Sequence, residues 1–197
     1  MPKVGMQPIR RQQLIDATLS AVSELGFADA SLSQIAKRAG VSTGIISHYF
    51  QDKHGLIEAT MRYLLKELGR EIAEALAHAE HTPEARLTAI ICGNFSASQV
   101  SKAAMNTWLA FWANSFYQPD LHRLQQMNHR RLHSNLKHEF LKVLDEKHAE
   151  QSALGLAALI DGFWLRGTLL QSEFDLDEVL NVCQSYIQCQ LQSQTVP

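Results

Sequence analysis

Apolar residues recur along this chain at helical spacing rather than in strand-like alternation. Leu14, Ile15, Thr18, Val22 and Leu25 form one stripe between Pro8, tolerated in a first helical turn, and Gly26, which stops the helix. A second stripe, Leu32, Ile35, Ala36 and Ala39, opens at Ser31 with Gln34 three residues on, a capping-box spacing, and closes at Gly40. Ser42 is placed to cap a short helix over Thr43 to Phe50. Ile45, Ile46, Tyr49 and Phe50 lie on one side of it; Thr43, Gly44, Ser47 and His48 lie on the other. Asp52 then caps a long helix from Lys53 to about Ala79, with Leu56, Ile57, Met61, Leu64, Leu65, Leu68, Ile72 and Leu76 on its apolar face.

Thr82 and Pro83 open the next helix, marked by Leu87, Ile90, Ile91 and Phe95. Another is expected from about Val100 to Tyr117, before Pro119. A polar helix is expected from Leu121 to about Lys147, with Leu124, Met127, Leu132, Leu136, Phe140 and Leu144 buried. Two helices end the chain, one with Leu156, Ile160, Phe163, Gly167 and Leu170 on a face, one with Leu176, Val179, Leu180, Cys183 and Ile187. Core packing within one chain and a face shared with a second chain both fit that pattern. With no strand signal and no repeat, the fold expected is all-α. A three-helix head over 8–68, with a helix-turn-helix at 31–50, precedes a helical body over 69–197.

A short helix that is apolar behind and small and polar in front suits the second helix of a helix-turn-helix, which enters the DNA major groove. An ordinary αα-hairpin gives the same pattern. Charge changes the picture only a little. The net charge is −2, but residues 1–68 carry eight Lys and Arg against six Asp and Glu, and the remainder ten against fourteen. Three cysteines without a CxxC read as free thiols in a reducing compartment. No N-terminal apolar run resembles a signal peptide, and no apolar stretch is expected to span a bilayer.

No phosphate loop, G-x-S-x-G or H-E-x-x-H is present, so catalysis is not expected. His129 and His133 are i, i+4, but Arg130 and Arg131 repel cations there and no Cys or carboxylate matches the spacing; neither a metal nor a cofactor is expected. Trp108, Trp112 and Phe116 are four apart on one helical face, with Phe111 beside them; Asp161 and Trp164 come from a later helix. Such a stripe is usually core. The sharper reading is an aromatic cage for a quaternary ammonium ion, which lacks N–H donors and is held by ring faces with an acid nearby. Asp161, in an otherwise apolar run, calls for a cation or donors; Arg166 or an indole N–H would also serve.

GVSTGIISHYFQDKHGL, residues 40–56, resembles the DNA-binding region of the TetR family of bacterial repressors, with its aromatic pair (Tyr49, Phe50) and following Lys53. Residues 7–18, 42–50, 103–113 and 155–166 resemble the choline-responsive members of that family. The resemblance implies a cytoplasmic homodimer joined through its last two helices. It would bind a palindromic double-stranded DNA operator and repress the genes for glycine betaine biosynthesis from choline. Base contacts are expected from Thr43, Gly44, Ser47 and His48, and phosphate contacts from Arg10, Arg11, Tyr49 and Lys53; Ser31, Ser33, Gln34, Arg38 and Ser42 complete the DNA-binding set. Choline would meet Trp108, Phe111, Trp112, Phe116, Asp161 and Trp164. The rivals are a TetR-like repressor of the drug-efflux type, sensing another cationic or apolar ligand, and a helical adaptor without DNA affinity.

Overall fold

The computed structural model describes residues 6–170 and 175–192. Among the described residues the chain forms nine α-helices and no strand. They are α1 (Met6–Asp29), α2 (Leu32–Arg38), α3 (Thr43–Phe50), α4 (Lys53–His78), α5 (Pro83–Asn94), α6 (Lys102–Ser115), α7 (Pro119–Phe140), α8 (Glu146–Leu170) and α9 (Leu176–Gln192). The chain packs as two compact units. Residues 1–66 and 101–125 form the first; 67–100 and 126–197 form the second.

The first unit holds α1, α2, α3, the start of α4, α6 and the start of α7. Its core gathers Leu14, Ile15, Ala21, Val22, Ile35, Ile46, Phe50 and Leu56, with Ala110 of α6 packed against them. Asn106 of α6 donates to the Ser23 carbonyl of α1 at 3.2 Å. Gly26 (φ 79°) breaks α1, and Gly40 (φ 63°) makes the turn between α2 and α3; both lie in the left-handed region that an L side chain resists. Ser31 accepts from the Gln34 amide at 3.3 Å, and Asp52 from the Gly55 amide at 2.8 Å, so the first and third head caps form as expected. Ser42 differs. It has N-cap backbone geometry, but its hydroxyl caps no amide.

In the second unit α5 packs on α9, and α8 on α9. Glu139 is buried there between Arg86, at 2.8 Å, and Lys142. Burial pushes its carboxyl up, but the two cations outweigh that and hold it below the ordinary value.

Several expectations are corrected. The helix expected to run to about Lys147 stops at Phe140, and residues 141–145 turn through i→i+3 bonds from Lys142 and Val143. Asp145 then caps α8 by accepting from the His148 amide at 2.9 Å. Met127 is exposed, because the inward row runs through the buried Leu121, Leu124, Leu132, Leu136 and Phe140, with Asn128 half-buried between them, and Met127 lies beside it. Leu170 is 64% exposed, off the buried face of α8, which is Ala149, Ala153, Leu156, Ala157, Ile160 and Trp164. Ile160, Val179, Cys183 and Ile187 are buried within a single chain, so they do not form a face left open for a partner. The apolar side chains that stay exposed on α8 and α9 are Leu154, Leu165, Leu169, Leu170 and Val182. By length and composition alone α8 is long and apolar enough to cross a bilayer, contrary to the sequence expectation.

Candidate nucleic-acid interface and ligand site

The helix-turn-helix presents the face that the sequence pattern assigns to it. Ile46 and Phe50 are buried behind α3, while Ser42, Thr43, Gly44, Ser47 and His48 are exposed in front. A side chain built on Gly44 would meet only the Ser42 hydroxyl, at 3.8 Å, so this surface lets a backbone or base edge approach closely. On α2, Ser33, Gln34 and Arg38 are exposed, as is the cap residue Ser31. Tyr49 is half-buried and packs edge-on against the His48 ring, 5.2 Å between centroids. An α-helix with five small or hydrogen-bonding positions on its open side can read base edges.

The cations around it are engaged with the protein itself. Arg11 donates to the Tyr49 carbonyl at 3.1 Å and lies 4.5 Å above the Phe50 ring, tying α1 to the end of α3. Lys53 donates to the carbonyls of Phe27 and Ala28, at 3.0 and 3.2 Å, and lies 5.7 Å from the Phe27 ring. Those carbonyls close α1 beyond the Gly26 break, where a cation complements the helix end. Arg10 donates to Gln13 at 3.0 Å. Arg38 pairs with Glu24 at 2.5 Å and holds that carboxyl below its ordinary value.

The six ligand candidates divide between the two compact units. In the first, Trp108 is buried and meets Phe111 edge-on, 5.7 Å between centroids. Trp112 is half-buried, and its buried indole N–H has no hydrogen-bond partner among the described residues. Phe116 does not continue their face. The helix ends at Ser115, where Asn114 accepts from the Tyr117 and Gln118 amides, and Phe116 is left 82% exposed. In the second unit Trp164 is buried and stacks on Phe95 at 6.2 Å, a core contact that the sequence could not separate from a cage. Asp161 is exposed, not enclosed in the apolar run as the sequence suggests, although neighbouring protein still raises the pKa of its carboxyl, with His129 pulling the other way. Arg166, on the same helix, is exposed and makes no ion pair with it. His133 of α7 lies 3.3 Å from Glu150, a partner that the sequence did not reveal. The second unit also holds an open cleft of about 530 Å³, lined by Ala75, His78, Thr82, Glu84 and Cys92 among others. It has no aromatic wall, so it does not suit a quaternary ammonium ion.

Residues 83–192 match the family described as BetI-type transcriptional repressor, C-terminal, and residues 14–60 match the bacterial regulatory proteins of the tetR family. The chain is 59% identical over 198 residues to the HTH-type transcriptional regulator BetI of Serratia proteamaculans (strain 568), covering all of both chains. It is 59% identical over 192 residues to BetI of Pectobacterium atrosepticum, covering 97% of this chain and 98% of that one. A transcriptional regulator from Pseudomonas aeruginosa PAO1 shares the fold with a TM-score of 0.83 at 26% identity, over 97% of this chain and 94% of that one. A regulator from Saccharomonospora viridis, solved in complex with choline, superposes with a TM-score of 0.79 at 19% identity, over 92% and 96%.

Proposed function

The chain belongs to the TetR family of bacterial regulatory proteins, with a BetI-type C-terminal domain, and from that premise we propose that it represses the genes that make glycine betaine from choline, with choline as its effector. Its relatives are transcriptional regulators, not enzymes. The reading places the protein in the cytoplasm as a homodimer on a palindromic operator, with residues 8–68 as the DNA-binding part and 69–197 as the sensing and dimerising part. The observation that carries it is the exposed, small-polar front of α3 over a back in which Ile46 and Phe50 are buried and Ile45 and Tyr49 half-buried. A dimer presents two such helices to two half-sites, and the exposed leucines of α8 supply apolar surface for the second chain.

For the ligand, Trp112 has the strongest support. A buried N–H without a partner calls for an acceptor, and the hydroxyl oxygen of choline is one, while the ring face serves its trimethylammonium group. Choline then acts as a population shift: it changes DNA affinity only as far as it binds one arrangement of the dimer better than another.

The test is fluorescence anisotropy with labelled DNA from upstream of the regulated genes, at several salt concentrations, with and without choline. Binding that survives non-specific competitor and changes with choline is expected. No preference over random DNA would favour the adaptor. Specific binding that answers lipophilic drug cations but not choline would favour the efflux-type repressor.

A further inference from the structure

We propose that His54, Glu58 and Asp120 form a binding site for a divalent transition-metal ion of the Zn²⁺ type. Ligand atoms of these three side chains lie within 4.8 Å of one another. His54 and Glu58 stand one turn apart on α4, and Asp120 comes from the first turn of α7; all belong to the same compact unit as the recognition helix. His54 Nε2 is 3.2 Å from Asp120 Oδ2. Two ligands of one tetrahedral ion, with bonds of about 2.0–2.2 Å, stand roughly 3.4 Å apart, so that pair already has ligand spacing.

The imidazole is also oriented from behind. Its Nδ1 lies 3.0 Å from Gln118 Oε1 and donates to it. A histidine whose Nδ1–H is held by a carbonyl offers Nε2 as the ligating nitrogen, the arrangement that supports metal-bound histidines. Arg62 binds Oε1 of Glu58, at 2.7 and 2.9 Å, and leaves Oε2 for an ion. The Asp52 carboxylate lies near enough to add negative charge. One imidazole and two carboxylates, all partly exposed, suit a borderline cation such as Zn²⁺, Co²⁺ or Ni²⁺ and leave a position for water. The bound ion would replace the proton between His54 and Asp120 and join the start of α4, directly after the recognition helix, to the start of α7.

The test is competition for Zn²⁺ between the metal-free full-length protein and a chromophoric chelator, with Co²⁺ absorption as a second readout. About one ion per chain is expected, with Co²⁺ bands of a low-coordinate nitrogen and oxygen site. His54→Gln and Asp120→Asn should each weaken binding at least tenfold, and Gln118→Ala about tenfold, as the loss of an orienting partner does. His133→Gln, on α7 away from this cluster, should leave it unchanged. Far-UV circular dichroism checks that every variant folds. No Zn²⁺ taken from the chelator by the parent protein, or equal affinity in folded His54→Gln and Asp120→Asn, overturns the proposal and leaves a His54–Asp120 hydrogen bond only.

Discussion

Replacing Lys53 with Met keeps the aliphatic stem and removes the ammonium, so it isolates what the charge does. In the structure that charge holds two carbonyls at the end of α1, Phe27 at 3.0 Å and Ala28 at 3.2 Å. A hydrogen bond to a charged group contributes about 1.5–3 kcal/mol when shielded. Here one bond is part-buried and the other exposed, which reduces the pair to about 1–2 kcal/mol. For a chain of this size each kcal/mol moves the melting midpoint by about 2–4 °C, so Lys53→Met should melt roughly 2–8 °C lower. Differential scanning fluorimetry at a fixed chain concentration measures it. An unchanged midpoint refutes the tie between α1 and α4. The same variant tests the proposed phosphate contact separately: loss of one such contact lowers the slope of log affinity against log salt by about 0.9 and weakens all DNA sequences alike. A lower midpoint with an unchanged slope would leave Lys53 as a structural residue alone.

Trp112→Leu should weaken choline about thirtyfold, the equivalent of a desolvated cation–π contact of about 2 kcal/mol, and leave DNA binding without choline intact; calorimetry giving equal affinities for choline and its neutral isostere 3,3-dimethylbutanol would count against a cage. Leu169→Glu, at a position 61% exposed in one chain, should fold and sediment as a monomer, whereas Ile160→Glu, at 1% exposure, should unfold instead of dissociating; a dimer persisting in Leu169→Glu moves the interface elsewhere. Arg86→Met should start acid unfolding at a higher pH. Glu139 has a lowered folded-state pKa, so its contribution is complete above the ordinary carboxylate value and is lost as pH falls through the folded value; removing Arg86 raises that folded value, and an unshifted acid transition would show that Lys142 alone suffices.

The head was legible because its signals are local. The cap at Ser31, the turn at Gly40 and the two faces of α3 are all set within four residues of themselves, and α3 spans Thr43–Phe50 as its pattern predicts. The body was less legible where two local signals compete. Leu144 continues the helical period of α7, but the Asp145 cap wins and starts a new helix. Periodicity also cannot say which apolar face meets which neighbour. The pattern left Ile160 and Val179 open between core and interface, and they are core in the chain, while Phe116 looks like the end of a stripe and lies beyond the helix. The spacing of His54 and Glu58 is visible in the sequence, but Asp120 is 66 residues from His54 and only the fold brings it near.

The packing of α6 against α1 bears on how such a protein can be taken apart. A cut at residue 68 follows the chain, but residues 101–125 pack in the same unit as residues 1–66, with Ala110 against the head core and Asn106 bonded to Ser23. An isolated fragment ending there would bare apolar surface around Thr18 and Val22, which Thr107 and Phe111 line with them in the intact chain. The reading head is therefore not a cassette. Chimaeras that exchange it between repressors inherit a mismatched neighbour unless α6 travels with it or its contact residues are rebuilt. Recombination that reshuffles specificity among such regulators meets the same constraint, and is freer to alter the outward positions of α3 than to replace the three helices around them.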